Sequence, residues 1–201
     1  MKTLSLPLAL SSAALLVGCV TPSPSTSPQD MFFAALTTRC GQAYAGELAS
    51  DQPADADMKG KAMVMHIRHC TPDRIEIPFH IEGLGPDGGW DRSRTWIISR
   101  TAEGLRLKHD HRHADGSKDD VTMYGGDTAD AGSATQQRFP VDAESIAMFK
   151  ANGLGASVTN IWTVETDAEG FSYALDREGR HFRATFDYDR PVTPPPAPWG
   201  W

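Results

Sequence analysis

The chain has 201 residues, of which 40% are hydrophobic and 22% charged, with a formal net charge of −7. That length and apolar content suit one domain with a substantial core. The acidic balance gives no electrostatic basis for binding nucleic acid or anionic lipid headgroups.

Met1 and Lys2 lead into a mainly apolar run from Leu4 to Val17. One basic residue, a short apolar stretch and a small-residue exit describe a secretory signal peptide over residues 1–18. The run falls short of the roughly 20 apolar residues that a membrane-spanning helix needs. It ends Leu16-Val17-Gly18-Cys19, which resembles the lipobox of bacterial lipoproteins. The resemblance implies cleavage before Cys19 and a diacylglyceryl group on its sulfur. It also implies a membrane partner reached through this lipid anchor, since several acyl chains together hold stably where one does not. In such lipoproteins Val20 after the cysteine favours the outer membrane, facing the periplasm. Residues 19–29 are rich in Pro, Ser and Thr and read as an extended linker.

A domain spanning 30–190 follows. Ser27-Pro28-Gln29-Asp30 opens a short helix through Leu36 that ends before Gly41. Strands are predicted over 42–49 and 62–69. Between Arg74 and Glu82, Ile75, Ile77, Phe79 and Ile81 alternate with mostly polar residues, which predicts one buried and one wet face. Further strands are predicted over 94–100, 105–113, 120–124 and 134–139. Asp142 and Glu144 begin a second helix that stops at Gly153. The last strands lie over 158–165, 171–175 and 181–188, most of them joined by hairpin-length turns. Residues 191–201 form a tail rich in proline that carries Trp199 and Trp201.

About ten short strands in meander order define a mainly β fold, an antiparallel up-and-down barrel with one or two short helices. An open β-sandwich is the alternative. The order of an early helix, successive hairpins and a helix before the last strands resembles the calycin, or lipocalin-like, barrels. Phe32-Phe33-Ala34-Ala35-Leu36, Asp91-Arg92-Ser93-Arg94-Thr95-Trp96 and Leu107-Lys108-His109-Asp110-His111-Arg112-His113 also resemble an uncharacterised family of bacterial secreted proteins and lipoproteins, which implies no particular activity.

With Cys19 taken by lipid, Cys40 and Cys70 remain as an even pair in an oxidising compartment, which predicts a disulfide. On a strand, His109, His111 and His113 share the face that carries Leu105 and Leu107. Alternate Cα atoms on a strand lie about 6.5–7 Å apart, so neighbouring imidazoles can converge on a divalent transition metal. A third histidine in line does not complete a tetrahedron, so His66, His69, His80 or a carboxylate has to help. The competing assignment is solvated or hydrogen-bonded histidines beside a hairpin tip. Arg92 and Arg94 offer forked donors to a carboxylate or phosphate. The preferred assignment puts Trp96 in the core and both arginines at the surface.

No nucleophile elbow, zinc-protease helix or phosphate-binding glycine loop occurs in the sequence. Three functional readings stay open. The favoured one is a non-enzymatic barrel that is structural or takes a small apolar ligand. The second is a metal carrier or metal-dependent enzyme using His109, His111 and His113. The third is an envelope protein that engages a protein partner through the 191–201 tail.

Overall fold

The computed structural model describes residues 26–201. The predicted signal peptide, Cys19 with its expected lipid, and most of the predicted 19–29 linker lie outside the described residues. No helix among the described residues is long and apolar enough to cross a membrane.

Helix α1 spans Pro28–Thr37. Ser27 caps it: its Oγ accepts from the Asp30 N–H at 3.0 Å, and the Asp30 carboxylate accepts from the Ser27 N–H at 3.3 Å. This reciprocal box satisfies two donors that the first turn would leave orphaned, and Pro28 at the first helical position costs no hydrogen bond. Phe32, Phe33 and Leu36 are buried.

Eleven strands follow: β1 Ala43–Leu48, β2 Met63–His66, β3 His69–Cys70, β4 Arg74–Ile81, β5 Asp91–Arg100, β6 Leu105–His111, β7 Tyr124–Asp127, β8 Gln136–Pro140, β9 Ile161–Thr166, β10 Gly170–Arg177 and β11 Arg180–Val192. Helix α2, Ala143–Ala151, lies between β8 and β9. The sheet order is β7-β6-β5-β4-β2-β1-β11-β10-β9-β8, with the short β3 also on β4. Every pair is antiparallel, and the first strand pairs with the last. The result is a nearly closed ten-stranded up-and-down barrel, not the open sandwich.

The seam falls between β7 and β8, which are neighbours in sequence. One bridge, Gly126 to Val141, joins them. The Asp142 N–H donates to Gly125 O at 3.0 Å, and the Gly125 N–H donates to Ser145 Oγ at 2.8 Å. Only glycine permits this approach, because a Cβ on Gly126 would stand 1.7 Å from Pro140 O. Lys108 Nζ reaches from β6 to Asp142 at 2.8 Å and Glu144 at 3.2 Å, tying the start of α2 across the seam.

The alternation predicted for the strands holds inside. Ile75, Ile77, Phe79 and Ile81 are buried, as are Trp96, Ile98, Leu105 and Leu107. Helix α1 plugs one end of the barrel. There the Arg100 guanidinium lies 4.3 Å from the Phe33 ring centre and bonds Asp30, while Gln29 Nε2 donates to Thr128 Oγ1 at 2.9 Å. The predicted disulfide is present between Cys40, just after α1, and Cys70 on β3.

Three expectations need correction. The predicted strand 120–124 is irregular up to Tyr124. Asp119 Oδ1 accepts the Val121 N–H at 2.9 Å, Thr122 Oγ1 accepts the His111 N–H at 2.7 Å, and Met123 has a φ of 58°. Side chains there take the donors that a ladder would use. Residues 155–159 form a 3-10 turn, so β9 starts only at Ile161. The outer face of β4 is not wet: Glu76 and His80 are 7% and 1% exposed.

Glu76 is held there by Arg74 at 2.7 Å and stands opposite His69 on β3. Strand β11 continues through Pro191 to Val192, which pairs with Ala43 on β1. Strand β10 pairs only as far as Asp187, so beyond it Pro191, opposite Tyr44 on β1, lies on a stretch of β11 paired on one side alone. Farther on, the Trp199 N–H donates to Arg92 O on β5 at 3.1 Å, and Arg92 donates to Ala197 O at 2.5 Å. The segment from Thr193 to Pro198 therefore crosses the outside of β2 and β4. Its end docks on its own barrel, with Pro198 buried and Trp199 half-buried.

Candidate functional site

The end of the barrel opposite α1 carries the site. Strand β6 starts at the plugged end with Leu105 and delivers His109 and His111 toward the other. Pairing with β5 sets Trp96 beside His109 and Arg94 beside His111. Strand β7 contributes Tyr124, β10 contributes Tyr173 and Leu175, and β11 contributes Phe182. Met58 enters from the turn Pro53–Met58. That turn is held by Asp55, 1% exposed, which binds the Arg180 guanidinium and accepts from Ser50 Oγ at 2.9 Å. Together these side chains line a cleft of about 130 Å³. A neighbouring cleft of about 240 Å³ shares His111, Tyr124, Tyr173 and Leu175 and extends to Asp119 and Arg177.

Below the clefts the interior is filled. Trp96 is sandwiched between Phe79 and Tyr173, with ring centres 4.9 and 4.4 Å away and planes within 12° and 18° of parallel. Such contacts add to area burial and leave no continuous cavity at that level.

His109 is fully engaged. Its Nδ1–H donates to Tyr124 O at 3.0 Å, because a carbonyl can only accept. Nε2 is then the acceptor for the Tyr173 hydroxyl at 2.8 Å. Burial pushes the His109 pKa down to about 3, assisted by the positive charges of His111 and Lys108 and opposed by the Tyr124 carbonyl. His111 is held at about 4, first by burial and then by Arg94, against Asp119, Asp91 and Asp110. Its Nε2 lies 3.1 Å from the Tyr124 hydroxyl. Burial raises Tyr124 to about 12 and Tyr173 well above the ordinary tyrosine value. At neutral pH the imidazoles and phenols are all uncharged.

The expected three-histidine metal site is not assembled. His109 has no free nitrogen, and His113 lies exposed beyond the end of β6. His69 is exposed, and His66 and His80 belong to β2 and β4. No three His, Cys, Asp or Glu side chains among the described residues are placed to hold a metal ion. The arginine pair is also corrected in part. Trp96 is core and Arg92 meets the tail, but Arg94 lines the cleft.

The residues that define the cleft with His109 are Tyr124, Tyr173 and Trp96, none of them proposed as site residues from sequence. Alternation of Phe171, Tyr173 and Leu175 with Ser172, Ala174 and Asp176 puts Tyr173 on one face of its strand, and Trp96 is assigned to the core. Their meeting with β6 depends on barrel closure, which local spacing does not encode. The chain thus forms an up-and-down barrel with one plugged end and one aromatic mouth, whose smaller cleft holds the guanidinium of Arg94 and whose neighbouring cleft reaches Asp119 and Arg177. Comparison of the chain with known protein families, with characterised proteins and with solved structures finds no match.

Proposed function

We propose that the chain is an envelope lipoprotein that binds a small amphipathic ligand at the open end of its barrel and catalyses no reaction on it. The observation carrying this reading is the cleft between Met58, Trp96, His111, Tyr124 and Phe182, with apolar walls and a few convergent polar groups. That composition is the usual one for a small-molecule site. Its volume lies below the roughly 300–1,000 Å³ typical of drug-sized ligands, so the occupant is compact. The hydrogen bonds at His109 and the un-ionised phenols support a binding role, because those groups serve one another and none is poised as a base.

Trp96 lines the cleft, so tryptophan fluorescence reports its occupancy. Titration with a panel of compact amphipathic compounds should give a saturable change, and native mass spectrometry should show a one-to-one adduct. Absence of both across the panel would leave a purely structural barrel. The envelope assignment rests on the resemblance at Leu16–Cys19. Metabolic labelling with a clickable palmitate should mark the wild-type chain and fail to mark Cys19→Ser. Equal labelling of both would remove the anchor from the proposal.

A further inference from the structure

Arg94 is the one charged side chain lining the smaller cleft among the described residues. It stands on the inner face of β5 opposite His111, at the rim. Asp91, itself 8% exposed, takes one of its N–H groups in an ion pair three residues away on the same strand. Asp91 in turn accepts the Ser93 N–H at 3.0 Å and so is fixed in place. Asp91 does not line the cleft. No other protein acceptor takes the remaining N–H groups of Arg94 among the described residues. A guanidinium held by one neighbour and offering the rest of its fork to an apolar cleft is a preorganised half of a carboxylate site.

We infer that the ligand is a compact organic monocarboxylate, its apolar body against Met58, Leu175 and Phe182 and its carboxylate on Arg94. This rests on the binding reading above and adds the chemical class of the occupant. The charge count selects a monoanion. One guanidinium already shared with Asp91, with Asp119 on the neighbouring cleft, does not offset a dianion such as a phosphate monoester. An amine would meet Arg94 with no carboxylate among the residues lining the cleft. A neutral amide would still accept from the guanidinium, but it would lose the attraction between opposite charges and the second acceptor oxygen that a carboxylate offers to a forked donor. Neutral His109 and His111 add no competing cation. Arg94 is also the positive charge felt by His111, Tyr124 and Tyr173, which places it over the polar groups of the mouth.

The test is a charge series on one ring, with benzoate, benzamide and benzylamine titrated against the intact folded domain by fluorescence and calorimetry. Benzoate should bind about tenfold or more tighter than benzamide, the difference made by the ion-pair attraction and the two-oxygen fork, and benzylamine should not bind. Arg94→Lys should keep the order of preference, and Arg94→Gln should bring benzoate down to benzamide. The wild-type series decides the question even where Arg94→Gln folds poorly with Asp91 left unpaired. If benzamide or benzylamine binds as well as benzoate, the carboxylate assignment is overturned while the small-ligand reading stands. If none of the three, and no other compact compound, binds, both are overturned.

Discussion

His109 on β6 and Tyr173 on β10 meet across the barrel interior, Nε2 to hydroxyl, at 2.8 Å. These strands belong to opposite runs of the meander, on either side of the β7/β8 seam, and the bond joins them at the floor of the mouth. Both groups are buried, at 2% and 7% exposure. A buried acceptor that loses its donor pays the full desolvation penalty, about 1–3 kcal/mol. Tyr173→Phe keeps the ring that stacks on Trp96 and removes only the hydroxyl. Its urea unfolding free energy should fall by about that amount with an unchanged slope. An unchanged midpoint would mean that the His109 nitrogen is satisfied by another route.

Acid should weaken the fold in a window set by histidines. Burial holds His80 at about 4, His109 at about 3 and His111 at about 4, all below the ordinary 6.5. On acidification the unfolded chain binds these protons first. Stability is therefore full above about pH 6.5 and is lost as pH falls toward the folded-state values. Each fully buried histidine contributes up to about 2 kcal/mol of loss between pH 6.5 and 5, and the part-exposed His111 less. The carboxylates act lower down. Asp91 and Asp142, which burial alone would raise, are held below their ordinary values by Arg94 and Ser93 and by Lys108 and Ser145 respectively. Their contribution is present above about pH 4 and lost only below it. Denaturation midpoints should be level from pH 7 to 8 and decline steadily from 6.5 to 5. A level profile across the lower range would sink the assignment of these histidines as neutral.

Period-two alternation on β4, β6, β10 and β11 was legible in the sequence because each strand needs only its own pleat to reveal its inner face. Capping chemistry made α1 and α2 legible for the same local reason. What stayed hidden depends on distant partners. The outer face of β4 reads as wet because its own spacing does not show that Glu76 ends against β3 and His80 beside Arg92. His109, His111 and His113 read as one row, yet the first is consumed by Tyr124 and Tyr173 and the third leaves the strand. Arg94 reads as surface because its cleft exists only once β10 and β11 close the barrel against β5 and β6.

The seam offers a second test of closure. Gly126→Ala would push a methyl into Pro140 O, a backbone atom that cannot turn aside. Overpacking of this kind costs about 1–3 kcal/mol. Hydrogen exchange should quicken at Gly125 and Asp142, whose N–H groups close the seam, while the β4/β5 ladder keeps its protection. Uniform protection in the variant would show that the barrel does not depend on this bridge.

The disulfide closes a loop with a sequence separation of 30. Loops of this size contribute about 2–4 kcal/mol by restricting the unfolded chain. Cys40→Ser paired with Cys70→Ser should lower the unfolding free energy by that amount and leave the fluorescence of Trp96 native in folded samples, because the bridge lies away from the cleft. A change in the Trp96 signal of the folded double variant would tie the bridge to the shape of the mouth.

The tail gives the sharpest contrast between two roles. A free arm that recruits a partner contributes nothing to the barrel. A strap fixed by Arg92 to Ala197 and by Trp199 to Arg92 shields the outside of β2 and β4. His80 on β4 is 1% exposed, its Nδ1 has no partner among the described residues, and its charged neighbours include Arg92, to which the segment is bonded. Truncation after Val192 should remove two hydrogen bonds and the burial of Pro198, about 1–3 kcal/mol in all. It should also let water reach His80, so that the His80 pKa climbs from about 4 toward 6.5 in an NMR titration. The two readouts move together only if the segment is a strap. If truncation leaves both the unfolding midpoint and the His80 titration where they were, the segment is an arm and its two tryptophans are free to engage another molecule.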